Sequence, residues 1–313
     1  MENLSTVTSF ILTAYAELEG HRYLYFIFLL ILYFLILLVN AVLIAVICIE
    51  RGLHGPMYLF ICNLAVNGVY GSTSLLPSML HHLLSHNYEI SLSFCLLQIH
   101  CLHTYGSVEL NILSMMSYDR YVAICRPLHY HQLLSRRKVC TLITLSWSHA
   151  NILFGLFFIF TVQRTFCDAI IEKVYCINSA LLKLSCFEIS LENMVGVFVA
   201  SFALVPQLLM ILFSYAQILR ICLFTSKESQ AKSIQTCTPH LLAVINYGVG
   251  CFFELIQSRV KATHIPYKAR IFMSLYFMVI PPVINPVIYG ITIRAIRVQI
   301  LKLFSGMKKL VIK

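Results

Sequence analysis

The chain has 313 residues, of which 59% are hydrophobic and only 12% are charged, and its formal net charge at pH 7 is +10. Soluble domains average about 25% charged residues, so this composition excludes an ordinary soluble protein. The mean hydropathy of +0.82 indicates a chain that crosses a membrane several times. No series of short alternating segments separated by turns is present, so a membrane β-barrel is not expected.

Seven apolar runs are interpreted as transmembrane helices, each of which needs about 20 mostly apolar residues. They are residues 24–48, 57–84, 94–124, 139–162, 195–224, 241–256 and 271–293. A final stretch, residues 293–307, has basic side chains on one side and apolar ones on the other, which is typical of an amphipathic helix on the membrane surface. The predicted fold class is all-α: one seven-transmembrane helix bundle over residues 1–313, with a short cytoplasmic amphipathic helix.

The distribution of Lys and Arg sets the expected orientation, because basic residues concentrate on the cytoplasmic side. If the loop after the first span is cytoplasmic, that side holds most of the 23 Lys and Arg residues. Residues 1–22 and the long loop at 163–193 are then extracellular, and residues 293–313 are cytoplasmic. Asn3 begins an Asn-Leu-Ser sequon, a candidate glycosylation site that agrees with this orientation. The basic excess is thus a topology signal, and no nucleic-acid partner is expected.

Four of the twelve cysteines lie on the expected extracellular side: Cys95 at the start of the third span, and Cys167, Cys176 and Cys186 in the long loop. An even number of cysteines on an oxidising face indicates disulfides, and four cysteines allow three pairings. The other eight are interpreted as small apolar residues of the spans and their cytoplasmic ends.

Two constellations suggest a conformational switch. Asp119 and Arg120 are adjacent at the cytoplasmic end of the third span, where an arginine is costly and a neighbouring carboxylate relieves the cost. Such an arginine can also simply extend its charged head to the interface. In the seventh span, Pro281, Pro282 and Pro286 remove backbone donors and bend the helix. That bend is either a structural kink or a hinge.

Six short motifs follow one another along the chain: LHGPMY at 53–58, MSYDRYVAIC at 116–125, RPLHY at 126–130, SY at 214–215, KSIQTCTPHL at 232–241 and PVINPVIY at 282–289. Together with seven spans and a long cysteine-rich loop, they resemble the olfactory (odorant) receptors, a family of rhodopsin-like, class A G-protein-coupled receptors. The resemblance extends over nearly the whole chain.

The resemblance implies specific roles. Cys95 would pair with Cys176, and Cys167 with Cys186. The residues of the G-protein switch would be Asp119, Arg120, Tyr121, Tyr215, Asn285, Pro286 and Tyr289. The implied partners are a small-molecule odorant, the lipid bilayer and the stimulatory olfactory G protein, which raises cyclic AMP. The implied location is the plasma membrane of sensory-neuron cilia, and neither a cofactor nor an enzymatic activity is implied.

One position departs from the family pattern. The family keeps an aspartate in the second span, and the aligned residue here is Gly68, so a sodium or water site at the bundle centre is in doubt. Asn67 is not expected to substitute, because neighbouring helical residues point about 100° apart. Glu109 in the third span should be neutral or hydrogen-bonded, and the predicted partners in this polar relay are Asn40 or Asn285.

The ligand site is predicted from helix faces in the outer half of the bundle, where mostly small and apolar walls suit a small organic ligand. Its predicted residues are Ile99, Leu102, His103, Gly106, Val199, Ala203, Tyr247, Gly250, Cys251, Glu254, Leu275 and Met278. His103 either packs in the core or contacts ligand. Glu254 either binds a cationic or hydrogen-bond-donating ligand, as an intramembrane acid suggests, or pairs at the rim with Arg259, Lys261 or Lys183.

Other functions are less well supported. A transporter should show internal repeats with paired broken helices, and no such repeat is evident. A receptor for an amine usually has an aspartate where this chain has Leu102, although a rhodopsin-like receptor for another small molecule remains an alternative. His82 with His86, and His100 with His103, have spacings that can hold a metal, but no further ligand completes a set, so no metal is expected.

Overall fold

A computed structural model describes residues 7–85, 87–187, 190–259 and 266–311. Seven long helices and one terminal helix account for most of the chain. They are α1 (Arg22–Ile49), α2 (Pro56–Leu84), α3 (Leu92–Cys125), α4 (Arg136–Val162), α5 (Ser190–Leu223), α6 (Lys227–Arg259), α7 (Tyr267–Thr292) and α8 (Arg294–Val311). Short helical turns occupy Thr13–His21, Arg51–Leu53, Pro127–His129, Tyr130–Leu133 and Asn178–Leu182.

The helices begin where the local sequence favours a start. Pro56 is the first residue of α2, where its missing N–H costs no helical hydrogen bond. Ser91 and Ser135 cap α3 and α4 by accepting hydrogen bonds from backbone N–H groups three residues later. Each predicted span corresponds to one helix, in order. Boundaries agree within a few residues except in α6, which starts at Lys227 because its first turns are polar and extend the helix beyond the apolar run.

Five helical segments are long and apolar enough to cross a membrane: Thr13–Ile49, Pro56–Leu84, Arg136–Val162, Met194–Leu223 and Ala269–Thr292. Within the described residues, α3 and α6 have a similar length but are less apolar. The polar side chains of α3 are largely buried inside the bundle, among them Glu109, Asn111 and Asp119. Both helices therefore keep polar groups away from lipid, as a membrane bundle requires.

Helix α3 lies at the centre of the bundle and contacts α2, α4, α5 and α6. Helix α7 packs against α1, α2 and α6, and α8 lies beside α1 and α7. The buried apolar side chains form two clusters, one in each half of the bundle. We call the end that carries residues 9–12 the amino-terminal face and the end beside α8 the carboxyl-terminal face.

A three-stranded sheet covers part of the amino-terminal face. Strand β1 (Ser9–Leu12) lies between β2 (Glu89–Ser91), to which it is antiparallel, and β3 (Ile170–Ile171), to which it is parallel. The alternating side chains Phe10 and Leu12 are buried. The sequence predicts an extracellular segment over residues 1–22, and it does not predict a strand there. A strand of four residues gives no clear pattern in the sequence. Its apolar residues become buried only against loops that are distant in sequence.

Tyr15 fixes this segment to the long loop. Its hydroxyl donates to the carbonyl oxygen of Val174 at 2.7 Å, and its ring stacks on His82 and Tyr88, with centroids 5.3 and 5.7 Å away. Burial raises the pKa of Tyr15 far above its ordinary value, so the hydroxyl remains a donor. The contact joins the first residues of the chain to the region between α4 and α5.

We expect Tyr15→Phe to destabilise the protein by about 1–3 kcal/mol, because the variant leaves a buried carbonyl oxygen without its donor. The thermal unfolding midpoint of the detergent-solubilised protein measures this loss. Tyr23→Phe is the matched control, since Tyr23 is 61% exposed. An unchanged midpoint in Tyr15→Phe would show that the sheet is not held in this way.

Candidate functional site

Two disulfides shape the amino-terminal face. Cys95, in the first turn of α3, bonds to Cys176, and Cys167 bonds to Cys186 within the long loop. These are the two pairings that the resemblance implies. Gln98 on α3 also holds the loop, because its Oε1 accepts from the backbone N–H of Cys176 at 2.9 Å. The loop is therefore fixed over the bundle by covalent and polar contacts to α3.

Phe277 of α7 occupies the space between α3, α6 and α7. Its ring packs so closely on two helices that a Cβ atom added to Gly106 would lie 3.2 Å from it, and one added to Gly250 would lie 2.9 Å from it. Tyr105 and Tyr247 flank the ring, with centroids 6.0 and 5.2 Å from it. Three predicted ligand residues thus meet here, since the Tyr247 hydroxyl also donates to the Gly106 carbonyl oxygen at 3.0 Å.

The predicted face of α7 is therefore displaced by one residue. The sequence predicts that Leu275 and Met278 face the ligand site. In the structure, Ser274 and Phe277 point toward α3, α6 and the long loop. Met278 belongs to the buried core of the amino-terminal half, and Leu275 packs at its edge. Successive side chains of a helix point about 100° apart, so an error of one residue selects a different face. The three prolines of α7 interrupt the periodic pattern from which its inward face would be predicted.

The predicted residues of α3 have two different environments. Ile99 and Leu102 are buried in the apolar core. His103 is more than a third exposed, and its ring stacks on Phe154 of α4 with centroids 4.2 Å apart. Its Nδ1 lies 2.9 Å from the carbonyl oxygen of Ile99 and so donates to it, which leaves Nε2 as an acceptor.

The remaining predicted residues lie near this centre or near the long loop. Val199 and Ala203 of α5 are partly buried, as is Cys251 of α6. Glu254 lies one turn beyond Cys251, and its Oε2 atom is buried without a hydrogen-bond partner among the described residues. The cation that lies near it is Lys173 of the long loop. Of the predicted rim partners, Lys261 and the side chain of Arg259 lie outside the described residues.

Two open clefts lie away from these residues. One, of about 460 Å³, is at the carboxyl-terminal face between the first loop and α8, and its walls include Glu50, Leu53 and Arg294. The other, of about 300 Å³, lies beside Phe160 and Phe187. Within the described part of the chain, no group of three or more His, Cys, Asp or Glu residues could hold a metal ion. His86 and Asn3 lie outside the described residues.

Glu109 forms the polar centre of the bundle. The Nδ2 groups of Asn67 and Asn285 donate to its two carboxylate oxygens at 2.8 and 2.7 Å. Asn40, a predicted partner, instead donates to the carbonyl oxygens of Ile36 and Pro282, both at 2.8 Å. All four polar side chains are at most 5% exposed. Of the two alternative partners expected for Glu109, the structure has Asn285 and not Asn40.

Asn67 and Gly68 explain how this centre differs from the expected one. Gly68 faces α1 and α7, since a Cβ atom added to it would lie 3.4 Å from Asn40 Oδ1 and from Pro282. Asn67, about 100° away around α2, faces α3 and reaches Glu109. The same angle that keeps Asn67 from replacing a side chain at position 68 directs it toward Glu109. Gly68 supplies no side-chain ligand, so the carboxylate that the family keeps at this position is missing here. Both Glu109 oxygens accept from N–H groups, and the Oδ1 atoms of Asn40, Asn67 and Asn285 are buried without a hydrogen-bond partner among the described residues.

Asp119 and Arg120 form a buried ion pair at the carboxyl-terminal end of α3. Arg120 donates through Nε to Asp119 Oδ2 at 2.9 Å, and its NH2 group contacts the same oxygen. Tyr130, in the loop after α3, donates to the other oxygen at 2.7 Å. Burial and the neighbouring carboxylate raise the pKa of Tyr130, so it remains a donor. Tyr121 faces α5, where its ring meets Phe213.

His240 of α6 connects three helices and was not predicted as a site residue. Its Nε2 donates to the Leu113 carbonyl oxygen of α3 at 2.9 Å, and its Nδ1 therefore accepts from the Tyr215 hydroxyl of α5 at 2.5 Å. Tyr289 of α7 is buried with its hydroxyl 3.9 Å from Met116 Sδ. The signal that could have found His240 was its place in the motif at residues 232–241.

Comparisons with known proteins bear on the family and the fold. The family model described as "Olfactory receptor" matches residues 29–307. The chain belongs to the olfactory receptor family. Human olfactory receptor 52D1 is 31% identical over 94% of this chain and 93% of its own length, and mouse olfactory receptor 10H28 is 34% identical over 97% and 96%.

The fold of this olfactory receptor is similar to that of squid rhodopsin. The crystal structure of that protein matches with a TM-score of 0.73 and 18% sequence identity, over 92% of this chain and 87% of the rhodopsin chain. The predicted family and the predicted seven-helix class are thus confirmed. This family and fold make the protein a multi-pass receptor of the plasma membrane and not an enzyme.

Proposed function

We propose that this receptor binds a small organic odorant in the amino-terminal half of the bundle and activates the stimulatory olfactory G protein, which raises cyclic AMP. The observation that carries the proposal is the buried Asp119–Arg120 pair at the end of α3, opposite the long loop. A pair whose partners can be exchanged has two states, and a ligand that prefers one of them shifts the equilibrium. Family membership supplies the ligand class and the class of partner.

The proposed orientation places the amino-terminal face outside the cell, on sensory-neuron cilia. Both disulfides are at that face, which fits an oxidising compartment. Basic residues dominate the opposite face, including Arg136, Arg137 and the basic side of α8. Glycosylation at Asn3 is consistent with this orientation.

The proposed route from ligand to G protein runs along α6. Ligand contacts near Tyr247 and Phe277 would move α6 relative to α3 and α7, because these rings pack between the three helices. The movement would change the His240 contacts with Tyr215 and Leu113. In the active state Arg120 would leave Asp119 and join Tyr215 and Tyr289, with Asn285 and Pro286 forming the hinge of α7.

We expect signalling to be independent of sodium, because both Glu109 oxygens already accept from amide N–H groups and Gly68 supplies no ligand. The measurement is agonist-driven nucleotide exchange in membranes, with sodium chloride replaced by potassium chloride at equal ionic strength. The agonist concentration for half-maximal response should stay the same in both salts. A sodium effect that disappears in Glu109→Gln would contradict this account.

The test of the proposed function is a cyclic AMP assay in cells that express the receptor with the stimulatory olfactory G protein. A broad panel of volatile compounds should contain agonists that raise cyclic AMP. The alternatives are a receptor for another kind of small molecule and a transporter. Activation by a non-volatile compound alone would favour the first, and ligand flux without a G protein would favour the second.

A further inference from the structure

A group of polar side chains lies where the long loop meets α6 and α7, apart from the switch network. Lys173 donates through Nζ to Ser274 Oγ at 3.0 Å, and Tyr175 donates through its hydroxyl to the Ser274 carbonyl oxygen at 3.0 Å. Tyr175 and Ser274 are buried. The loop is thereby fixed to α7 directly above the ring of Phe277, one turn further along the helix.

Glu254 brings an acceptor into this group. Its Oε2 atom is buried and has no hydrogen-bond partner among the described residues. Burial lowers the pKa of Lys173, the negative charge of Glu254 opposes that effect, and Arg270 and Lys183 add to it. Lys173 is the cation that lies near Glu254. A buried acceptor oxygen without a donor is costly, so the site is best completed by a ligand that donates a hydrogen bond.

The surrounding charges restrict what that ligand can be. A protonated amine at Glu254 would be repelled by Lys173, whose own charged neighbours Arg270 and Lys183 are also cations. A carboxylate would be repelled by Glu254, and Lys173 already donates to Ser274. A neutral hydroxyl group avoids both penalties, and it can donate a hydrogen bond to Glu254 Oε2.

We propose that the ligands of this receptor are small apolar alcohols or phenols whose hydroxyl group donates to Glu254 Oε2. This inference rests on the proposed function and names the ligand class of the same site. The apolar part would lie toward Cys251 and Tyr247, where the rings of Tyr247 and Phe277 pack against each other and against Gly250 and so form a floor. That floor favours short or compact ligands over long chains.

The experiment compares molecules that share one carbon skeleton: a primary alcohol, its methyl ether, the amine, the carboxylic acid and the aldehyde. Binding is measured as ligand-induced thermal stabilisation of the purified receptor in nanodiscs, and signalling as cyclic AMP in cells. The expected result is that the alcohol binds at least about tenfold more tightly than its ether, as about 1.4 kcal/mol for one hydrogen bond requires. The amine and the acid should bind more weakly than the alcohol.

Two variants separate recognition from folding. Glu254→Gln and Glu254→Leu should reduce the alcohol-to-ether affinity ratio toward one, whereas a general structural defect would weaken both ligands and preserve the ratio. A ratio that stays unchanged in both variants, or a preference for the amine or the acid in the wild type, would overturn the proposal. Stabilisation by alcohols without cyclic AMP would instead count against the proposed G protein, and cyclic AMP driven only by other compounds would count against the ligand class.

Discussion

Gly250→Ala is expected to destabilise the receptor by about 1–3 kcal/mol, the usual cost of an extra methyl group in a packed core. The added Cβ atom would lie 2.9 Å from Phe277 Cδ2 and 3.1 Å from Phe277 Cα. The second of these is a backbone atom, so rotation of the Phe277 side chain cannot relieve the contact. Helices α6 and α7 would have to separate.

Gly248→Ala is the matched control, because it adds the same methyl group to the same helix two residues away. An added Cβ atom at Gly248 meets nothing within 4 Å. Alanine is the better helix former by about 1 kcal/mol, so this variant should be as stable as the wild type or more stable. The measurement is the thermal unfolding midpoint in detergent, with surface expression as a second readout. Equal midpoints for the two variants would contradict the close packing of Phe277 on Gly250.

Arg120→Ala is expected to abolish agonist-driven cyclic AMP, because it removes the cation that is proposed to exchange partners on activation. The substitution also leaves Asp119, which is fully buried, without its cation, and a stranded buried charge costs about 3–5 kcal/mol. A loss of signal could then reflect a loss of folded receptor. Surface labelling must therefore accompany the cyclic AMP measurement.

The double variant D119N/R120A separates the two causes. It removes the stranded carboxylate while the Tyr130 hydroxyl keeps an amide oxygen to donate to. We expect it to reach the surface at nearly wild-type levels and to give no agonist response. A wild-type response from this variant would show that Arg120 is not part of the switch.

The membrane helices and the adjacent Asp119 and Arg120 were predictable from the sequence because their signals are local. Apolar runs of fixed length gave the spans, and the adjacent Asp119 and Arg120 marked a polar site at a helix end. In the structure this pair is buried, with Tyr130 as a third member from the RPLHY motif. Asp119, Arg120 and Tyr130 lie within 11 residues of one another in the sequence, and they are also in contact in the structure.

Contacts between distant segments could not be predicted in this way. The stretch Ser9–Leu12 is a strand only because Glu89–Ser91 and Ile170–Ile171 lie on either side of it. Phe277 and Met278 are adjacent apolar residues, and only the position of Gly106 and Gly250 decides which of them faces the centre. Asn67 is a partner of Glu109 because the side of α2 that carries Asn67 packs against α3. In each case the deciding partner lies far away along the chain.

These contacts connect the two ends of the receptor through α6. Glu254, Tyr247 and His240 lie along this one helix. Glu254 lies near Lys173 of the long loop, Tyr247 packs on Phe277 and donates to α3, and His240 accepts from Tyr215. The ligand proposed at Glu254 would therefore act on a helix whose other end contacts α3 and Tyr215. Glu109 stabilises the neighbouring contact of α3 with α2 and α7.

The most direct measurement of the central claim is nucleotide exchange on the purified stimulatory olfactory G protein, catalysed by the purified receptor in nanodiscs. With an agonist found in the odorant panel, we expect faster exchange by the wild-type receptor and no acceleration by D119N/R120A. The inhibitory G protein should show little response. Agonist binding without faster exchange on the stimulatory G protein, or equal exchange by the double variant, would contradict the account.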